Sequence, residues 1–526
     1  MSELVHDLIF DTAQRTPGAE ALVYGAERLD YQALAAAVGA AARVFGAAGI
    51  ARGERIAVYL EKRVENVAAL FGAAAAGAVF VPVNPLLKPD QVAYILTDCN
   101  VRILVTSPER LRQLAPALAG CPELGMVFVT GEPGLDAVGH GAEVRGWDAA
   151  LAVCTDAPAP ARGIDADVAA ILYTSGSTGR PKGVVLSHRN LVAGAHSVAA
   201  YLAIAPADRL LAVLPLSFDY GLSQLTCAFL RGAAAVLLNH LFARDVLQAV
   251  LAERITGLAA VPPLWFQLAR LDWNGASTLR YLTNSGGALP RATVDQLRAC
   301  LPQAELFLMY GLTEAFRSTY LPPAELDRRP DSMGRAIPNA EVMVVRPDGT
   351  RCAPHEPGEL VHRGALVALG YWNDPARSAE RFRPVPGQDP GLPLPEMAVW
   401  SGDTVRMDEE GYLYFVGRSD EMIKVSGYRV SPTEIEEVVA ATGLVEESAC
   451  FGVPHPELGQ AVVLVGNGAP DAAAALLQEC RRRLPAWMVP LHLDLRPDPL
   501  PRNPNGKIDR KSLQSSYLTL YEELRP

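Results

Sequence analysis

The amino-acid sequence predicts an α/β protein made of a large amino-terminal domain of layered α/β sheets and a small α+β carboxy-terminal domain. Three observations predict this arrangement. Half of the 526 residues are apolar, which is more than the core of one domain requires. Short β-rich runs alternate with Ala- and Leu-rich helical stretches. A run of turn residues at 417–420 then separates off the last segment.

Five short apolar runs predict buried strands of largely parallel sheets, at residues 56–60, 101–105, 126–129, 211–216 and 234–238. The most apolar stretch, residues 67–83, is rich in Ala and Gly and ends in AVFVPV. A membrane-spanning helix needs about 20 apolar residues. We therefore predict a buried helix followed by a strand, and no membrane-spanning segment.

The carboxy-terminal domain has its own helix start. Ser431 can cap the helix, Pro432 suits its first position, Glu434 can complete a capping box, and Gly443 suits its end. We predict a boundary at Asp420, between domains at 1–419 and 420–526.

Charge and cysteine content exclude several classes of protein. A net charge of −11 and a pI near 5.4 exclude a protein that holds nucleic acid by general electrostatics. The eight cysteines form no CxxC pair and no zinc-site spacing with histidine, which indicates reduced thiols. Glu3 and Asp7 stand where a secretory signal would be basic and then apolar. We therefore expect a cytoplasmic protein.

The strongest local motif is an apolar strand at 168–173 that opens into a glycine- and hydroxyl-rich loop. Glycines let a backbone wrap around a phosphate chain, hydroxyls and N–H groups donate to its oxygens, and a lysine adds charge. A flexible linker is the alternative, although a linker seldom follows a buried strand directly. The candidate phosphate-binding residues are Thr174, Ser175, Gly176, Ser177, Thr178, Gly179 and Lys182.

The loop differs from a Walker A motif, because Pro181 precedes the lysine and Gly183 follows it. It resembles instead the adenylate-forming superfamily of acyl-CoA synthetases, peptide-synthetase adenylation domains and luciferases. Four further places continue the resemblance in the family's order and cover nearly the whole chain: 284–288 (NSGGA), 309–314 (MYGLTE), 400–403 (WSGD) with 417–420 (GRSD), and 500–510 (LPRNPNGKIDR).

The resemblance implies that ATP and Mg2+ are bound. It implies an adenine-side turn at Gly286, Gly287 and Ala288, and it implies that Tyr310, next to Gly311, stacks on adenine. By the same resemblance the Thr313 hydroxyl contacts the α-phosphate, and Glu314 holds Mg2+. The resemblance also implies that Asp403 accepts hydrogen bonds from the ribose hydroxyls with support from Arg418, and that Lys507 is the catalytic lysine.

The implied reaction has two steps. A carboxylate attacks the α-phosphate of ATP and expels pyrophosphate, and the acyl-AMP then transfers its acyl group to a pantetheine thiol of CoA or a carrier protein. Cations stabilise the charge that gathers in the first step, and the resemblance assigns this role to Lys507, Lys182 and Mg2+ on Glu314.

For the second step, the family rotates its small domain about a hinge matching Asp420 and replaces Lys507 by a loop matching Lys424 and Gly427. A glycine leaves room for pantetheine. A plain hairpin turn is the alternative explanation of Gly427.

The identity of the acid is left open. Phe218 and Asp219 resemble the amino-acid-activating branch, in which the aspartate pairs with the substrate ammonium. A buried aspartate needs a cation or hydrogen-bond donors to offset its desolvation. Asp219 can equally cap a helix or pair internally.

Other functions remain open alongside an AMP-forming acyl-CoA ligase. They are an amino-acid-activating ligase that loads a carrier protein, an acyl-AMP ligase that ignores CoA, and a non-catalytic sensor of nucleotide or acyl-adenylate. Segments 313–323, 335–339 and 361–364 look most like the acyl-CoA ligases associated with bacterial exosortase A systems. That resemblance implies a role beside exopolysaccharide or protein-sorting loci.

Overall fold

The structure, a computed structural model, describes residues 3–132, 134, 137–139, 141–154, 163–174, 181–418, 422–425, 428–455, 458–484, 486–504 and 506–521, without the side chains of 418, 424, 428, 429 and 487. Contacts divide it into two compact units. The large unit is Met1–Val342 with His362–Val399, and the small unit is Met343–Val361 with Trp400–Pro526.

One sheet of the large unit has nine strands. Its middle strands are parallel, and β10, β20 and β7 join in antiparallel fashion. In spatial order they are β20 (Gly370–Tyr371), β10 (Lys182–Ser187), β9 (Val168–Thr174), β4 (Val79–Pro82), β3 (Arg55–Tyr59), β5 (Val101–Thr106), β6 (Met126–Val129), β8 (Ala142–Gly146) and β7 (Ala137–Val138).

A second sheet runs through the large unit with a parallel centre from β15 to β1 and antiparallel strands at both ends. Its order is β17 (Ser332–Ala336), β16 (Thr319–Leu321), β15 (Glu305–Tyr310), β14 (Tyr281–Asn284), β13 (Gly257–Ala260), β11 (Arg209–Ala212), β12 (Ala234–Leu237), β1 (Glu20–Tyr24) and β2 (Glu27–Asp30). A short β21 (Phe382–Pro384) also belongs to this unit.

The helices of the large unit include the crossovers that connect its parallel strands. They are α1 (Asp7–Arg15), α2 (Tyr31–Ala47), α3 (Val64–Ala75), α4 (Pro89–Asp98), α5 (Pro108–Leu114), α6 (Trp147–Val153), α7 (His188–Tyr201), α8 (Asp219–Arg231), α9 (Ala243–Ala252), α10 (Pro262–Leu268), α11 (Arg291–Cys300) and α12 (Pro375–Arg381). The stretch 67–83 forms most of α3 and then β4, so the predicted buried helix and strand are confirmed.

The five predicted strands are present, and four of them have shifted ends. The largest shift is at the run 211–216, where β11 begins earlier, at Arg209, and stops at Ala212. Pro215 has no N–H to donate to a sheet, so the apolar run continues past the strand as a loop. That loop leads to α8 and becomes part of the candidate site.

The small unit has α+β architecture, as predicted. A five-stranded sheet contains β24 (Ile423–Val425), β25 (Tyr428–Val430), β26 (Glu447–His455), β27 (Gly459–Asn467) and β28 (His492–Arg496). Its helices are α13 (Pro432–Ala440), α14 (Ala473–Arg483) and α15 (Arg510–Ser515). Apolar side chains of α13 and α14 fill one core cluster, and Leu513 of α15 fills a second.

Four further strands precede this sheet in the chain: β18 (Ala340–Val345), β19 (Gly358–Gly364), β22 (Met397–Met407) and β23 (Leu413–Arg418). At the start of α13, the Ser431 hydroxyl accepts from the backbone N–H of Glu434 at 3.3 Å, so the predicted cap is confirmed. The prediction that Glu434 completes a capping box is wrong. Among the described residues, the Glu434 carboxylate accepts no hydrogen bond from the Ser431 N–H.

Within the part of the chain described here, no helix combines the length and the apolar character that crossing a bilayer requires.

Candidate active site

The candidate site lies at one edge of the second sheet. The strands β11, β13, β14 and β15 are parallel neighbours, so their carboxyl ends share that edge. Open parallel sheets bind ligands at this edge. The segments that follow these strands contain eight of the predicted site residues: Phe218, Asp219, Gly286, Gly287, Ala288, Gly311, Thr313 and Glu314.

A three-residue network joins the two sheets of the large unit. The Nζ atom of Lys182, at the start of β10, donates to Oε1 of Glu314 at 2.7 Å and to the Tyr371 hydroxyl oxygen at 2.8 Å. The Tyr371 hydroxyl also donates to Oε1 of Glu314, at 2.5 Å. Tyr371 is held beside Lys182 because β20 pairs with β10. The two predicted charged residues are thus in direct contact.

The network keeps Glu314 ionised. Burial alone would raise the pKa of this carboxyl, but the Lys182 charge and the hydrogen bonds from Lys182 and Tyr371 outweigh it and leave the pKa below its usual value. A buried carboxylate of this kind costs folding energy unless it is paired. The site therefore holds a preformed anion beside a preformed cation.

Thr313 and Asp219 form a second buried contact. The Thr313 hydroxyl donates to Oδ1 of Asp219 at 3.1 Å, and both residues are less than 10% exposed. Asp219 is in the first turn of α8, where the helix dipole favours an anion. Phe218 precedes it as the N-cap residue and is half-buried. Of the two alternatives for Asp219, internal pairing is thus observed, while the ammonium contact remains a hypothesis.

The predicted adenine-side turn follows β14 directly. Gly286 has a φ of +85°, which favours glycine, and the amide of Asn284 donates to the Gly287 carbonyl at 3.0 Å. Gly287 and Ala288 are exposed. Tyr310 ends the neighbouring strand β15 and is half-buried. An exposed glycine turn next to a partly exposed aromatic ring suits a flat, stacked ligand.

A strained turn follows Glu314. Phe316 has a φ of +57°, which is rare for a bulky residue, and its side chain is fully buried. A Cβ on Gly194 of α7 would lie 2.5 Å from the Phe316 ring, so a glycine is required there. The backbone N–H of Ala368 fixes the same turn by donating to the Glu314 carbonyl at 2.8 Å. Such strain persists only where surrounding contacts hold it.

The predicted phosphate loop is described only at its two ends. Thr174 ends β9 and is the cross-strand partner of Lys182, so both stand where the loop leaves the sheet. Ser175, Gly176, Ser177, Thr178 and Gly179 lie outside the described residues.

The small unit carries the remaining predicted residues. Asp403 of β22 is buried and is the cross-strand partner of Arg418 of β23. Lys507 is exposed beside Gly506, whose φ is +77°, in a loop closed by a bond from the Asn503 N–H to the Lys507 carbonyl at 2.8 Å. Lys424 lies in β24, without a described side chain. Asp420 and Gly427 lie outside the described residues.

Comparison with known proteins identifies this arrangement. Residues 9–372 match the model of the AMP-binding enzyme family, and residues 434–507 match the model of the AMP-binding enzyme C-terminal domain. The chain belongs to the AMP-binding enzyme family. The predicted superfamily is thereby confirmed.

Individual relatives of this AMP-binding enzyme agree with that assignment. It is 30% identical to an L-proline–[L-prolyl-carrier protein] ligase of Pseudomonas fluorescens, over 97% of this chain and 99% of the relative. It is also 30% identical to a long-chain-fatty-acid–CoA ligase of Mycobacterium tuberculosis, over 93% of both chains. Linear gramicidin, tyrocidine and surfactin synthase subunits match as well, and the chain spans only 8% to 14% of their length.

A solved structure agrees with the fold. ATP-bound MatB from Rhodopseudomonas palustris superposes with a TM-score of 0.87 at 28% identity, covering 99% of this chain and 100% of that one. The AMP-binding enzyme thus has the fold of a protein that has been crystallised with ATP.

Several site residues escaped the sequence analysis. Tyr371 and Asn190 are fixed by contacts that no local pattern encodes, since Tyr371 is 189 positions from Lys182 and Asn190 donates to the carbonyls of Ala365 and Val367. Arg317 did carry a signal, namely a single charge directly after the 309–314 motif in an otherwise uncharged stretch.

Proposed function

We propose that this chain is an AMP-forming acid–thiol ligase. It activates a carboxylic acid with ATP, releases pyrophosphate, and transfers the acyl group to a pantetheine thiol. The observation that carries the proposal is the ion pair between half-buried Lys182 and buried Glu314, next to Thr313 at the ligand-binding edge of the sheet. Membership of the AMP-binding enzyme family supports the same chemistry.

In the first step, an oxygen of the substrate carboxylate bonds to the α-phosphorus of ATP, and the bond to the pyrophosphate oxygen breaks. Two anions approach each other, so the site must supply positive charge and hydrogen-bond donors. We assign these roles to Lys182, Lys507 and the Thr313 hydroxyl. We assign ATP binding to Thr174 and the loop after it, to Gly286 to Ala288, to Tyr310, and to the Asp403–Arg418 strand pair.

The residues present fit a magnesium ion. The hydrogen bonds from Lys182 and Tyr371 to the Glu314 carboxylate both fall on Oε1, so neither of these residues uses Oε2, and the lowered pKa keeps the group anionic. Mg2+ prefers such oxygen ligands. A bound Mg2+ would neutralise phosphate charge, with Glu314 as its protein ligand.

In the second step, a thiol sulfur bonds to the acyl carbon, AMP leaves, and the thiol proton passes to solvent or phosphate. We propose that the small domain turns about Asp420 for this step, and that Lys424 and Gly427 then serve the thiol. Support comes from the sequence resemblance at these positions.

The named relatives support two candidates for the thiol acceptor. One relative is named as a ligase of a prolyl carrier protein and another as a ligase of CoA, so CoA and a carrier protein are both candidates. We place the enzyme in the cytoplasm, since all eight cysteines are unpaired and a reducing compartment preserves thiols. An association with exosortase A loci rests on the sequence resemblance alone.

Activation of an amino acid is the second candidate, because Asp219 is a buried carboxyl residue in the segment where an ammonium would be recognised. A sensor without activity is disfavoured, since Lys182 and Glu314 form a paired, desolvated site that a binding protein does not require.

The test is hydroxamate trapping across fatty, aromatic, dicarboxylic and amino acids, followed by thioester assays with CoA and with a phosphopantetheinylated carrier protein. We expect acid-dependent hydroxamate and thioester with one acceptor. Nucleotide binding without hydroxamate from any acid would favour the sensor, and activity with amino acids alone would favour the second candidate.

A further inference from the structure

Arg317 is a buried cation that the proposed mechanism does not use. Its side chain is only 1% exposed. The guanidinium carbon lies 4.7 Å from the centre of the Tyr220 ring, and Nη1 donates to the Ser285 hydroxyl at 3.2 Å. Tyr220 follows Asp219 in α8, and Ser285 follows β14, so the guanidinium lies at the same sheet edge as Thr313 and Asp219.

One edge of this guanidinium forms no hydrogen bond within the described part of the chain. Among the described residues, Nε and Nη2 of Arg317 have no hydrogen-bond partner although both atoms are buried. These two nitrogens lie on the same edge of the planar group, and their hydrogens point in one direction. That edge matches the two oxygens of a carboxylate.

The charge of Arg317 also lacks a counter-ion among the residues that the structure describes. No carboxylate within the described part of the chain lies within 4.0 Å of the guanidinium nitrogens. Its neighbours include neutral groups such as the Cys227 thiol, whose pKa burial raises to about 12 against the opposing charge of Arg317. An arginine does not lose its charge in proteins, so burying it without an anion is costly.

The fold fixes Arg317 in this costly position. It follows the strained residue Phe316, and a Cβ on Gly311 would lie 3.1 Å from the Arg317 Cα, so glycine at 311 is what lets the two segments approach. Tyr220, which stacks on the guanidinium, is fixed in turn by a hydroxyl contact of 2.5 Å with Thr283. A buried charge that is held rigidly and lacks an anion is preorganised for a ligand.

We propose that Arg317 binds a second anionic group of the substrate, so that the acid activated by this enzyme is a dicarboxylic acid or another acid with an additional anion. This inference rests on the proposed function. The carboxylate that reacts must lie by the α-phosphate, whereas the second carboxylate fills the Nε–Nη2 edge of Arg317.

The alternative is that Arg317 holds the reacting carboxylate itself. The two roles predict different substrate dependence. A contact with the second anion matters only for acids that carry one, whereas a contact with the reacting carboxylate matters for every acid.

The experiment is acid-dependent ATP–pyrophosphate exchange with matched pairs of equal carbon number: malonate and propionate, succinate and butyrate, glutarate and valerate, adipate and hexanoate, phthalate and benzoate. Wild type is compared with Arg317→Met, Arg317→Lys and the surface control Arg298→Met, which removes an exposed arginine paired with Asp327. Thermal unfolding checks that each variant is folded.

We expect wild type to prefer one diacid over its matched monoacid by about 100-fold in kcat/KM. Arg317→Met should abolish that preference and leave the monoacid within about threefold, since a lost buried charge contact affects only the diacid. Arg317→Lys should recover part of it, and Arg298→Met should behave as wild type. Should Arg317→Met fail to fold, Arg317→Lys supplies the comparison: a reduced preference for the diacid supports the inference, and an unchanged preference overturns it.

Equal activity of wild type on both members of every pair would overturn the inference and leave the proposed ligase function intact. Equal loss of mono- and diacids in Arg317→Met would do the same and assign Arg317 to the reacting carboxylate. Absence of exchange with every acid, including amino and long-chain fatty acids, would overturn the proposed function as well.

Discussion

The Nζ atom of Lys182 lies 2.7 Å from Oε1 of Glu314, although the two residues are 132 positions apart in the chain. Their side chains are 18% and 10% exposed. The pair joins the end of the predicted phosphate loop, in one sheet, to the 309–314 motif at the end of strand β15, in the other. Substrate phosphates and Mg2+ would have to interact with the same two charged side chains. Ligand binding, as well as mutation, should therefore affect the ion pair.

The Lys182–Glu314 ion pair should stabilise the fold only when both charges are present. Replacing Lys182 by Met leaves a buried carboxylate without its cation and should lower the free energy of unfolding by about 3 kcal/mol. The double variant Lys182→Met/Glu314→Gln should recover most of that loss. Urea unfolding followed by tryptophan fluorescence measures both, with Arg298→Met as an exposed control that should not shift the midpoint. Additive losses in the double variant would show that the charges are not coupled.

The Glu314 carboxylate should matter more to catalysis than the hydroxyl that supports it. Glu314→Gln should lower ATP–pyrophosphate exchange about 100-fold and raise the Mg2+ concentration needed for half-maximal rate. Tyr371→Phe removes one hydrogen bond to the same oxygen and should cost less than tenfold. An unchanged Mg2+ requirement in Glu314→Gln would contradict the assignment of the metal.

The contact between Thr313 and Asp219 predicts a difference between two substitutions. Asp219→Asn keeps an oxygen that can accept from the Thr313 hydroxyl, so exchange should stay within about fivefold of wild type. Asp219→Ala removes the acceptor and should lower exchange about 30-fold. If Asp219 binds a substrate ammonium instead, both variants should lose amino-acid activation equally, and a panel of amino acids and simple acids distinguishes the outcomes.

His188 predicts a pH dependence of stability. Its Nδ1 accepts from the Val5 N–H at 3.1 Å, and burial, reinforced by His6, lowers its pKa to about 4. The unfolded chain takes up this proton near pH 6.5 and the folded chain only near pH 4, so the unfolded state binds more protons between these values. The contribution of the uncharged His188 to the free energy of unfolding is complete above pH 6.5. It declines by about 3 kcal/mol as the pH falls to 4.

His188→Asn retains an acceptor for Val5 but cannot titrate, so its free energy of unfolding should fall less steeply than that of wild type between pH 6.5 and 4. Urea titrations at several pH values measure the slope. The exposed His355→Asn is the matched control and should keep the slope of wild type. Equal slopes in wild type and His188→Asn would contradict this account.

Much of the site could be predicted because its residues sit in continuous motifs. Residue composition and order indicate the strand at 168–173, the glycines after β14 and the 309–314 motif. Tyr371 and Arg317 could not be assigned a role, because their contacts depend on strand β20 pairing with β10 and on a strained backbone at Phe316. Local patterns do not encode such distant pairings.

The ends of strands were less predictable for a related reason. The apolar run at 211–216 contains Pro215, which excludes pairing at that position, but the last paired residue, Ala212, depends on the neighbouring strands β12 and β13. The cap at Ser431, by contrast, depends on residues three positions apart and was predictable.

The most direct test of the central claim is ATP–pyrophosphate exchange in wild type and Lys507→Ala, measured together with thiol transfer from chemically prepared acyl-AMP. We predict acid- and Mg2+-dependent exchange in wild type, and in Lys507→Ala no exchange but nearly normal transfer. Wild type that binds ATP yet exchanges no pyrophosphate with any acid would contradict acyl-AMP formation. Equal loss of exchange and transfer in Lys507→Ala would contradict the assignment of this lysine to the first step.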